Sequence, residues 1–187
     1  MNRCRKPVML IGGAPGAGKT TLARALCHAL TIDHRISTGF IREIVRDQFT
    51  KQSCPLLFDY TFRSADPIRT LVLQAALLQR PVSLCLRRAR EEGTSLIVEG
   101  NHLIPALYHD VDADLYVILG APVAKEHRKR LRGDTHRLRV LTEADLLAVR
   151  KIDDYLRREA ERHAIPLRQF RGALDEFTQL LTPQPRD

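Results

Sequence analysis

Several residue types are scarce in this chain of 187 residues. It has no tryptophan, six phenylalanines, four tyrosines and four cysteines. No apolar run approaches the ~20 residues of a bilayer span, and the run after the basic N-terminus is too short for a signal peptide. The cysteines form no C-x-x-C pair, which predicts reduced thiols without a disulfide or a metal. These absences predict a cytoplasmic protein without membrane contact. The cysteines are Cys4, Cys27, Cys54 and Cys85.

The composition is that of one folded domain. Hydrophobic residues make up 44% of the chain and charged residues 28%, and the length is sufficient to bury a sizeable core. We therefore expect a single domain over 1–187, with a frayed tail at 182–187. The formal net charge of +8 favours an anionic partner, which could be a nucleotide, a phosphorylated metabolite or a nucleic acid. Nothing in the composition indicates the oligomeric state.

Five segments are predicted as strands, and helical periodicity separates them. Strands that alternate with helices predict a parallel sheet with helices on both faces. In such sheets ligands bind at the carboxyl ends of the strands. The predicted strands are 8–11, 34–38, 95–100, 113–121 and, more faintly, 165–170.

Helical periodicity is clearest in three segments. Residues 40–49 place apolar side chains on one face. Asp66 and the proline after it have the pattern of a helix start, and we expect Pro81 to end or kink that helix before the helical pattern resumes. Thr142 and Asp145 match a capping box at the start of a long amphipathic helix.

The stretch "LIGGAPGAGKTTLA", residues 10–23, lies between an apolar run and a helical pattern. It matches G-x-x-x-x-G-K-[ST], in which backbone N–H groups cradle phosphates, the lysine reaches the β- and γ-phosphates and the hydroxyl binds Mg²⁺. The helix N-terminus adds partial positive charge at the same place. The alternative is a glycine-rich turn with a solvated lysine. The residues predicted to hold the nucleotide are Gly13, Ala14, Pro15, Gly16, Ala17, Gly18, Lys19, Thr20 and Thr21.

A phosphate-binding loop needs an acid on its metal side, and this acid normally follows a neighbouring buried strand. "SLIVEG" places Glu99 after three apolar residues. Glu99 is therefore predicted to bind Mg²⁺ or its water together with Thr20, to act as general base on an acceptor hydroxyl, or to do both. The alternative is a strand-end glutamate that only caps the next helix.

A basic segment follows the predicted strand 113–121. Residues 125–139 contain seven lysines or arginines and two acids, and Arg128 and Arg132 are four residues apart on one helical face. We expect a lid at about 125–141 with a hinge at Gly133, in which these two arginines neutralise charge on the transferring phosphoryl group. The alternative is an ordinary solvated helix.

These residues resemble small P-loop kinases of the nucleotide-kinase type, most closely the 2-phosphoglycerate kinase-like group. The likeness covers "LIGGAPGAGKTTLA", "STGFIRE", "LIVEGNHLIP" and "RKIDDYLRREAERHAIP". The resemblance implies a three-layer α/β/α fold with a five-stranded parallel sheet. It also implies ATP and Mg²⁺ as cofactors, with Lys19 and Glu99 as catalytic residues and transfer of the γ-phosphoryl group to a small acidic or phosphorylated acceptor.

The resemblance also suggests residues for the acceptor. Thr38 and Arg42 lie in the "STGFIRE" motif, and Arg42 would grip an acidic group through its bidentate fork. Asn101 and His102 follow Glu99 and would line the same pocket. The alternatives are an exposed helix charge for Arg42 and a structural role for the histidine.

One departure from the family pattern bears on the chemistry. The family motif usually reads T-D-x-I-R-E, whereas Gly39 follows Thr38 here. Either Glu99 does the work of the missing acid alone, or Asp59 substitutes for it, or the chemistry has been lost or changed. Phe170 and Arg171, after the last predicted strand, are candidates by position for clamping the adenine.

Three functions remain open from the sequence. The first is an ATP-dependent kinase of a small metabolite. The second is a kinase acting on nucleosides or nucleic-acid ends, which the net charge favours and the shortage of aromatic residues for base stacking opposes. The third is a nucleotide-binding regulator without turnover, suggested by Gly39 in place of the expected acid.

Overall fold

The sheet consists of five parallel strands, as predicted. The computed structural model describes residues 5–133 and 141–181. Neighbouring strands are ordered second, third, first, fourth, fifth across the sheet. The last strand, expected at 165–170, is only two residues long. The strands are β1 Val8–Gly13, β2 His34–Ser37, β3 Leu96–Gly100, β4 Leu115–Leu119 and β5 Leu167–Arg168.

Helices connect the strands on both faces of the sheet. Between the second and third helices lies a connecting segment, residues 55–63, which begins with the 3₁₀ turn Pro55–Phe58 and ends with the 3₁₀ turn Thr61–Arg63. The helices are α1 Lys19–Ala29, α2 Thr38–Arg46, α3 Pro67–Glu92, α4 Pro105–Tyr108, α5 Ala124–Gly133, α6 Glu143–Arg162 and α7 Phe170–Leu181.

Apolar side chains cover both faces of the sheet and produce the predicted three layers. Alternate residues of β1 point in opposite directions, as the period of a strand requires. Val8 and Leu10 belong to the core formed with α3 and α6, whereas Met9 and Ile11 belong to the core formed with α1 and α7. All six residues of β1 are buried, so the glycine loop that follows is anchored on a strand covered from both sides.

The starts of α3 and α6 follow the predicted capping pattern. The Asp66 side chain accepts from the Arg69 N–H, and Thr142 and Asp145 form a reciprocal capping box. Pro81, however, does not end its helix, because α3 continues through it to Glu92. Leu78 and Val82 on either side of the proline are fully buried, and packing of this face outweighs the one helical hydrogen bond that proline removes.

Two predicted features extend beyond what the structure describes. The first half of the expected lid lies in α5, whereas residues 134–140 and the expected tail at 182–187 lie outside the described residues. Within 5–133 and 141–181, no helix combines the length and the apolar character that crossing a bilayer requires.

Candidate active site

The glycine loop between β1 and α1 has backbone angles that favour glycine. Gly16 has a φ of 78° and Gly18 a φ of 104°, both in the left-handed region that side chains disfavour. No side-chain hydrogen bond caps α1 at Gly18, so the N–H groups of its first turn are available to an anion. The Lys19 ammonium donates to the Ala14 carbonyl at 2.8 Å and is thereby held at the loop. This geometry is that of a phosphate site at a helix N-terminus.

The tip of the glycine loop packs against α5, a contact that the sequence did not indicate. The His127 Nε2 atom lies 2.8 Å from the Pro15 carbonyl oxygen. A Cβ atom on Gly16 would lie 2.7 Å from Leu131 and 2.9 Å from His127, so glycine is needed here for space as well as for conformation. Burial lowers the pKa of His127, which favours the neutral ring that donates to Pro15.

Thr20 and Glu99 meet at the carboxyl ends of β1 and β3, as predicted. These strands are neighbours, with Ile11 opposite Glu99. The Thr20 hydroxyl lies 2.9 Å and 3.1 Å from the two carboxylate oxygens of Glu99. A hydroxyl beside a carboxylate is a donor set that suits Mg²⁺. Among the described residues, no group of three or more His, Cys, Asp or Glu side chains is arranged to hold a metal ion.

Arg35 of β2 is a site residue that the sequence analysis missed. Its guanidinium forms an ion pair with the Glu99 carboxylate at 3.1 Å. The Glu99 side chain is only 5% exposed, and a charge this buried is costly without a partner. The one available signal was a charged residue in a short strand, which is too common to be informative.

A cavity of about 520 Å³ lies beside Glu99 and brings most of the predicted site together. Of the predicted residues, it is lined by Pro15, Gly16, Lys19, Thr20, Thr38, Arg42, Glu99, Asn101 and His102. Among the described lining residues Glu99 is the one carboxylate, so the lining has an excess of positive charge, part of which the ion pairs of Arg42 with Glu43 and of Arg130 with Glu126 offset. The cationic residues that line it are Lys19, Arg24, Arg35, Arg42 and Arg130.

Thr38 and His102 contact each other within the wall of this cavity. The Thr38 Oγ1 atom lies 2.9 Å from His102 Nδ1, and His102 Nε2 lies 3.0 Å from Gln74 Oε1. All three side chains are at most 2% exposed. Burial, together with the smaller effects of the charges of Arg42 and Lys19, lowers the pKa of His102 to about 3. The imidazole is therefore neutral at physiological pH.

Arg42 points from α2 into the same region. Its guanidinium donates to the Asp59 carbonyl at 3.3 Å and pairs with Glu43 at 3.0 Å, while its side chain is 12% exposed. Asp59, expected as one substitute for the missing acid, contributes this carbonyl. The residue is exposed and lines neither of the two cavities described here.

The predicted lid arginines lie away from both cavities. Arg128 and Arg132 are each 53% exposed, and both pair with Glu143 at the start of α6. Arg130, which was not singled out, lines both cavities and bonds Glu126 at 2.6 Å. The catalytic role of Arg128 and Arg132 stays a prediction that would need a movement of α5.

A second cavity, of about 790 Å³, adjoins the first on the side of α5 and α7. It is lined by Gly18 and Thr21 of the glycine loop and by Lys129, Arg130 and Phe170. The Phe170 ring lies 3.2 Å from where a Cβ atom on Gly18 would stand. Phe170 thus borders the second cavity beside the glycine loop, and its contact with adenine stays a prediction. The side chain of Arg171 lies outside the described part of the structure.

The strand order, the glycine loop after β1 and the acid at the end of β3 define the fold of a P-loop kinase. Shikimate kinase from Acinetobacter baumannii, solved with shikimate, has this fold: it superposes with a TM-score of 0.56 at 15% identity and covers 93% of this chain and 89% of its own. The predicted three-layer α/β/α class is confirmed.

Curated relatives narrow the resemblance to 2-phosphoglycerate kinases. The enzyme of Thermococcus kodakarensis is 26% identical over 174 residues, which are 85% of this chain and 59% of the relative. That of Methanococcus maripaludis is 30% identical over 142 residues, which are 66% of this chain and 45% of the relative. The chain thus spans about half the length of the curated relatives it matches. No family model matches it. The resemblance predicted from the sequence is confirmed, and it supports a phosphotransferase.

Proposed function

We propose that this protein is an ATP-dependent kinase that transfers the γ-phosphoryl group to a small acidic or phosphorylated metabolite in the cytoplasm. The observation that carries the proposal is the cavity beside Glu99, whose described lining includes five cationic side chains and a single carboxylate. Acidic acceptors and phosphates are the ligands that such a set favours. The names of the curated relatives make 2-phosphoglycerate the first acceptor to test.

The glycine loop supplies the donor site. Backbone N–H groups of residues 13–21 other than Pro15, and the N-terminus of α1, would hold the phosphates of ATP, while Lys19 would leave the Ala14 carbonyl to bind the β- and γ-phosphates. The second cavity, which continues from Gly18 to Phe170, is large enough for the nucleoside. The ring of Phe170 offers the base a surface for stacking.

Thr20 and Glu99 would hold Mg²⁺ through the hydroxyl and the carboxylate that now bond each other. Bound there, the ion would neutralise negative charge on the transferring phosphoryl group. The ion pair with Arg35 holds the Glu99 carboxylate toward this point, so the acid is pre-organised before any ligand arrives.

Glu99 is also the group placed to accept the proton of the acceptor hydroxyl. Gly39, which lines the cavity, carries no carboxylate, and the other described residues that line the cavity include no acid. Arg42 would bind the acidic group of the acceptor, and Arg130, which lines both cavities, would neutralise charge between donor and acceptor. Phosphoryl transfer depends mainly on such positioning and charge stabilisation.

The test is an assay of ADP release from ATP and Mg²⁺ with a panel of acceptors. The panel contains 2-phosphoglycerate, 3-phosphoglycerate, glycerate, sugar acids, nucleosides and a 5′-hydroxyl oligonucleotide. We expect stimulation by an acidic acceptor and a phosphorylated product detectable by mass spectrometry. Tight ATP binding with no stimulated turnover would contradict the proposal and indicate a nucleotide-binding regulator.

A kinase of nucleosides or nucleic-acid ends is a second candidate, because the cavity has an aromatic side. Phe40, Tyr60 and Phe62 line it, although aromatic residues are scarce in the chain as a whole. Phe40 is 72% exposed and Tyr60 40% exposed, so both could contact a base. Preferential turnover of a nucleoside or an oligonucleotide in the same panel would favour this candidate.

A further inference from the structure

A network of buried hydrogen bonds centres on Gln74 of α3. It lies behind the cavity beside Glu99, where the acceptor is proposed to bind. The Gln74 side chain is fully buried and uses both ends of its amide. Its Nε2 atom donates to the carbonyls of Leu56 and Asp59. Its Oε1 atom accepts from the Thr61 hydroxyl at 2.7 Å and lies 3.0 Å from His102 Nε2. The amide therefore ties the connecting segment 55–63 to the loop after β3.

One assignment of donors and acceptors satisfies the hydrogen bonds of this network. Carbonyl oxygens only accept, so the carbonyls of Leu56 and Asp59 require the amide nitrogen at their end and leave the Gln74 oxygen as an acceptor. His102 must then carry its proton on Nε2 and accept at Nδ1. The Thr38 hydroxyl, 2.9 Å from Nδ1, is consequently the donor. Both ring nitrogens of His102 are engaged, which leaves neither one to bind an acceptor or to move a proton.

The hydrogen-bonded network also includes Arg42. The Asp59 carbonyl that accepts from Gln74 also accepts from the Arg42 guanidinium at 3.3 Å. Arg42 lies one helical turn after Thr38. The network therefore contacts α2 twice, at Thr38, its first residue, and at Arg42, which lines the cavity. The network thus links α2 to segment 55–63, both of which line the acceptor site.

We propose that Gln74 and His102 are positioning residues for the acceptor site, because their buried amide and imidazole join segment 55–63, Thr38 and Arg42 in one hydrogen-bonded arrangement. They touch no substrate in this proposal. They set the affinity for the acceptor by fixing Arg42 and the wall that carries Tyr60 and Phe62. The polar side-chain atoms of Gln74 and His102 all have hydrogen-bond partners. Satisfied buried polar groups rigidify their surroundings, whereas the loss of one partner is costly.

The network is built from elements other than the nucleotide loop. Its members come from α2, α3, segment 55–63 and the loop after β3, whereas ATP is proposed to bind at residues 13–21. Disruption of the network should therefore weaken acceptor binding selectively. This inference rests on the proposed function, since it concerns the acceptor of that reaction.

The experiment compares Gln74→Leu with Gln79→Leu. Gln79 is a matched control because it is on the same helix and also donates to a carbonyl, that of Leu107, away from the cavity. For Gln74→Leu we expect the KM for 2-phosphoglycerate to rise at least about tenfold, with the Kd for ATP within about twofold of wild type. The control should change neither quantity. An unchanged KM, or a parallel rise of KM and of the ATP Kd, would overturn the proposal.

A conservative variant adds a second readout. The amide in His102→Gln can still donate to Gln74, but it cannot replace the contacts of the ring to both Gln74 and Thr38. Its KM for 2-phosphoglycerate should therefore lie between those of wild type and His102→Phe. A positioning role predicts this graded recovery. Equal KM values for the two variants would contradict it.

Two measurements on the protein without substrate keep this inference distinct from the proposed function. If wild type fails to use 2-phosphoglycerate or any other acceptor, the proposed function fails. Hydrogen exchange then decides the inference: the amides of 55–63 should exchange faster in Gln74→Leu than in Gln79→Leu, and equal rates would overturn it. If Gln74→Leu does not fold, the inference is tested on wild type instead. Long-range ¹H–¹⁵N NMR spectra then report which ring nitrogens of His102 carry a proton. They should show His102 neutral with its proton on Nε2 at pH 6, and the Nδ1–H tautomer or the cation would overturn the inference.

Discussion

The nucleotide side and the acceptor side of the active site are constructed in opposite ways. On the nucleotide side, nine consecutive residues, Gly13 to Thr21, supply a loop and a helix N-terminus directly after a buried strand. On the acceptor side, the cavity draws side chains from Arg35 to Val149, which come together only through the fold. The first site depends on main-chain conformation, and the second depends on long-range packing and on a buried polar network.

This difference determines which changes each side tolerates. A loop that binds through backbone groups is sensitive to residues that alter its φ angles and less sensitive to the identity of its exposed side chains. A pocket made of distant side chains is sensitive to any member of the network that holds them, even one that touches no ligand. The predictions below test this contrast.

The largest effect should come from Glu99, where the two sides meet. Glu99→Gln keeps the size of the side chain but removes the charge that would hold Mg²⁺ and accept the hydroxyl proton. We expect kcat to fall by about 1,000-fold, as measured by steady-state kinetics. Glu91→Gln, an exposed change on α3, is the control. A loss smaller than about fivefold would mean that Glu99 is not the catalytic carboxylate.

The acceptor side should also dominate the response of stability to acid. His102 has a pKa of about 3 when folded, against about 6.5 when unfolded. The unfolded chain therefore binds the extra proton first, and stability present above pH 6.5 is lost as the pH falls toward 3. Between pH 7 and pH 4 this residue should lower the free energy of unfolding by about 3 kcal/mol. Denaturant titrations should show a shallower loss in His102→Gln; identical pH profiles would contradict a buried neutral imidazole.

A moderate effect should follow from altering the tip of the nucleotide loop. Gly16→Ala places a Cβ atom at a φ of 78° and within 3 Å of Leu131 and His127. We expect the variant to lose about 1–2 kcal/mol of stability and to bind ATP more weakly. In the control, Gly133→Ala on α5, the new Cβ meets no atom within 4 Å. If thermal unfolding shows the two variants to be equally stable, the tight contact between the loop tip and α5 is not present in solution.

The smallest effect should come from restoring the family's acid. A Cβ atom on Gly39 would meet only the Ser37 Oγ atom, at an ordinary 3.5 Å, so Gly39→Asp should fold normally. Its new negative charge in a cavity for acidic acceptors should raise the acceptor KM by about threefold without raising kcat. A tenfold gain in kcat would instead show that the natural chain lacks the acid it needs, which would favour a regulator.

The sequence predicted the parts of this molecule that depend on local patterns. The alternation of strands and helices, the capping box at Thr142 and the glycine loop were correct because each is encoded within a few neighbouring residues. Glu99 was found because it follows a buried strand. Thr38 and His102 were assigned to the acceptor pocket, but their bond to each other was not foreseen.

The remainder required the folded structure. Gln74 is one glutamine among the polar residues of an amphipathic helix, and nothing local shows that its amide is fully buried. Pro81 was expected to end or kink α3, and the helix does not end there. Sequence rules describe an isolated helix and leave out the packing of Leu78 and Val82. Arg130 was overlooked in favour of Arg128 and Arg132 because helical spacing gives the relative direction of side chains but not which direction faces the cavity.

The central claim is that the loop after β1 binds the triphosphate of ATP through its main chain and Lys19. The most direct test is a calorimetric titration of wild type and Lys19→Ala with ATP and Mg²⁺. We expect a Kd in the micromolar range for wild type and a Kd about 100-fold higher for the variant, with both proteins equally stable, because loss of a charged contact to phosphate costs about 2–3 kcal/mol. Equal affinities, or no binding by wild type, would contradict the account.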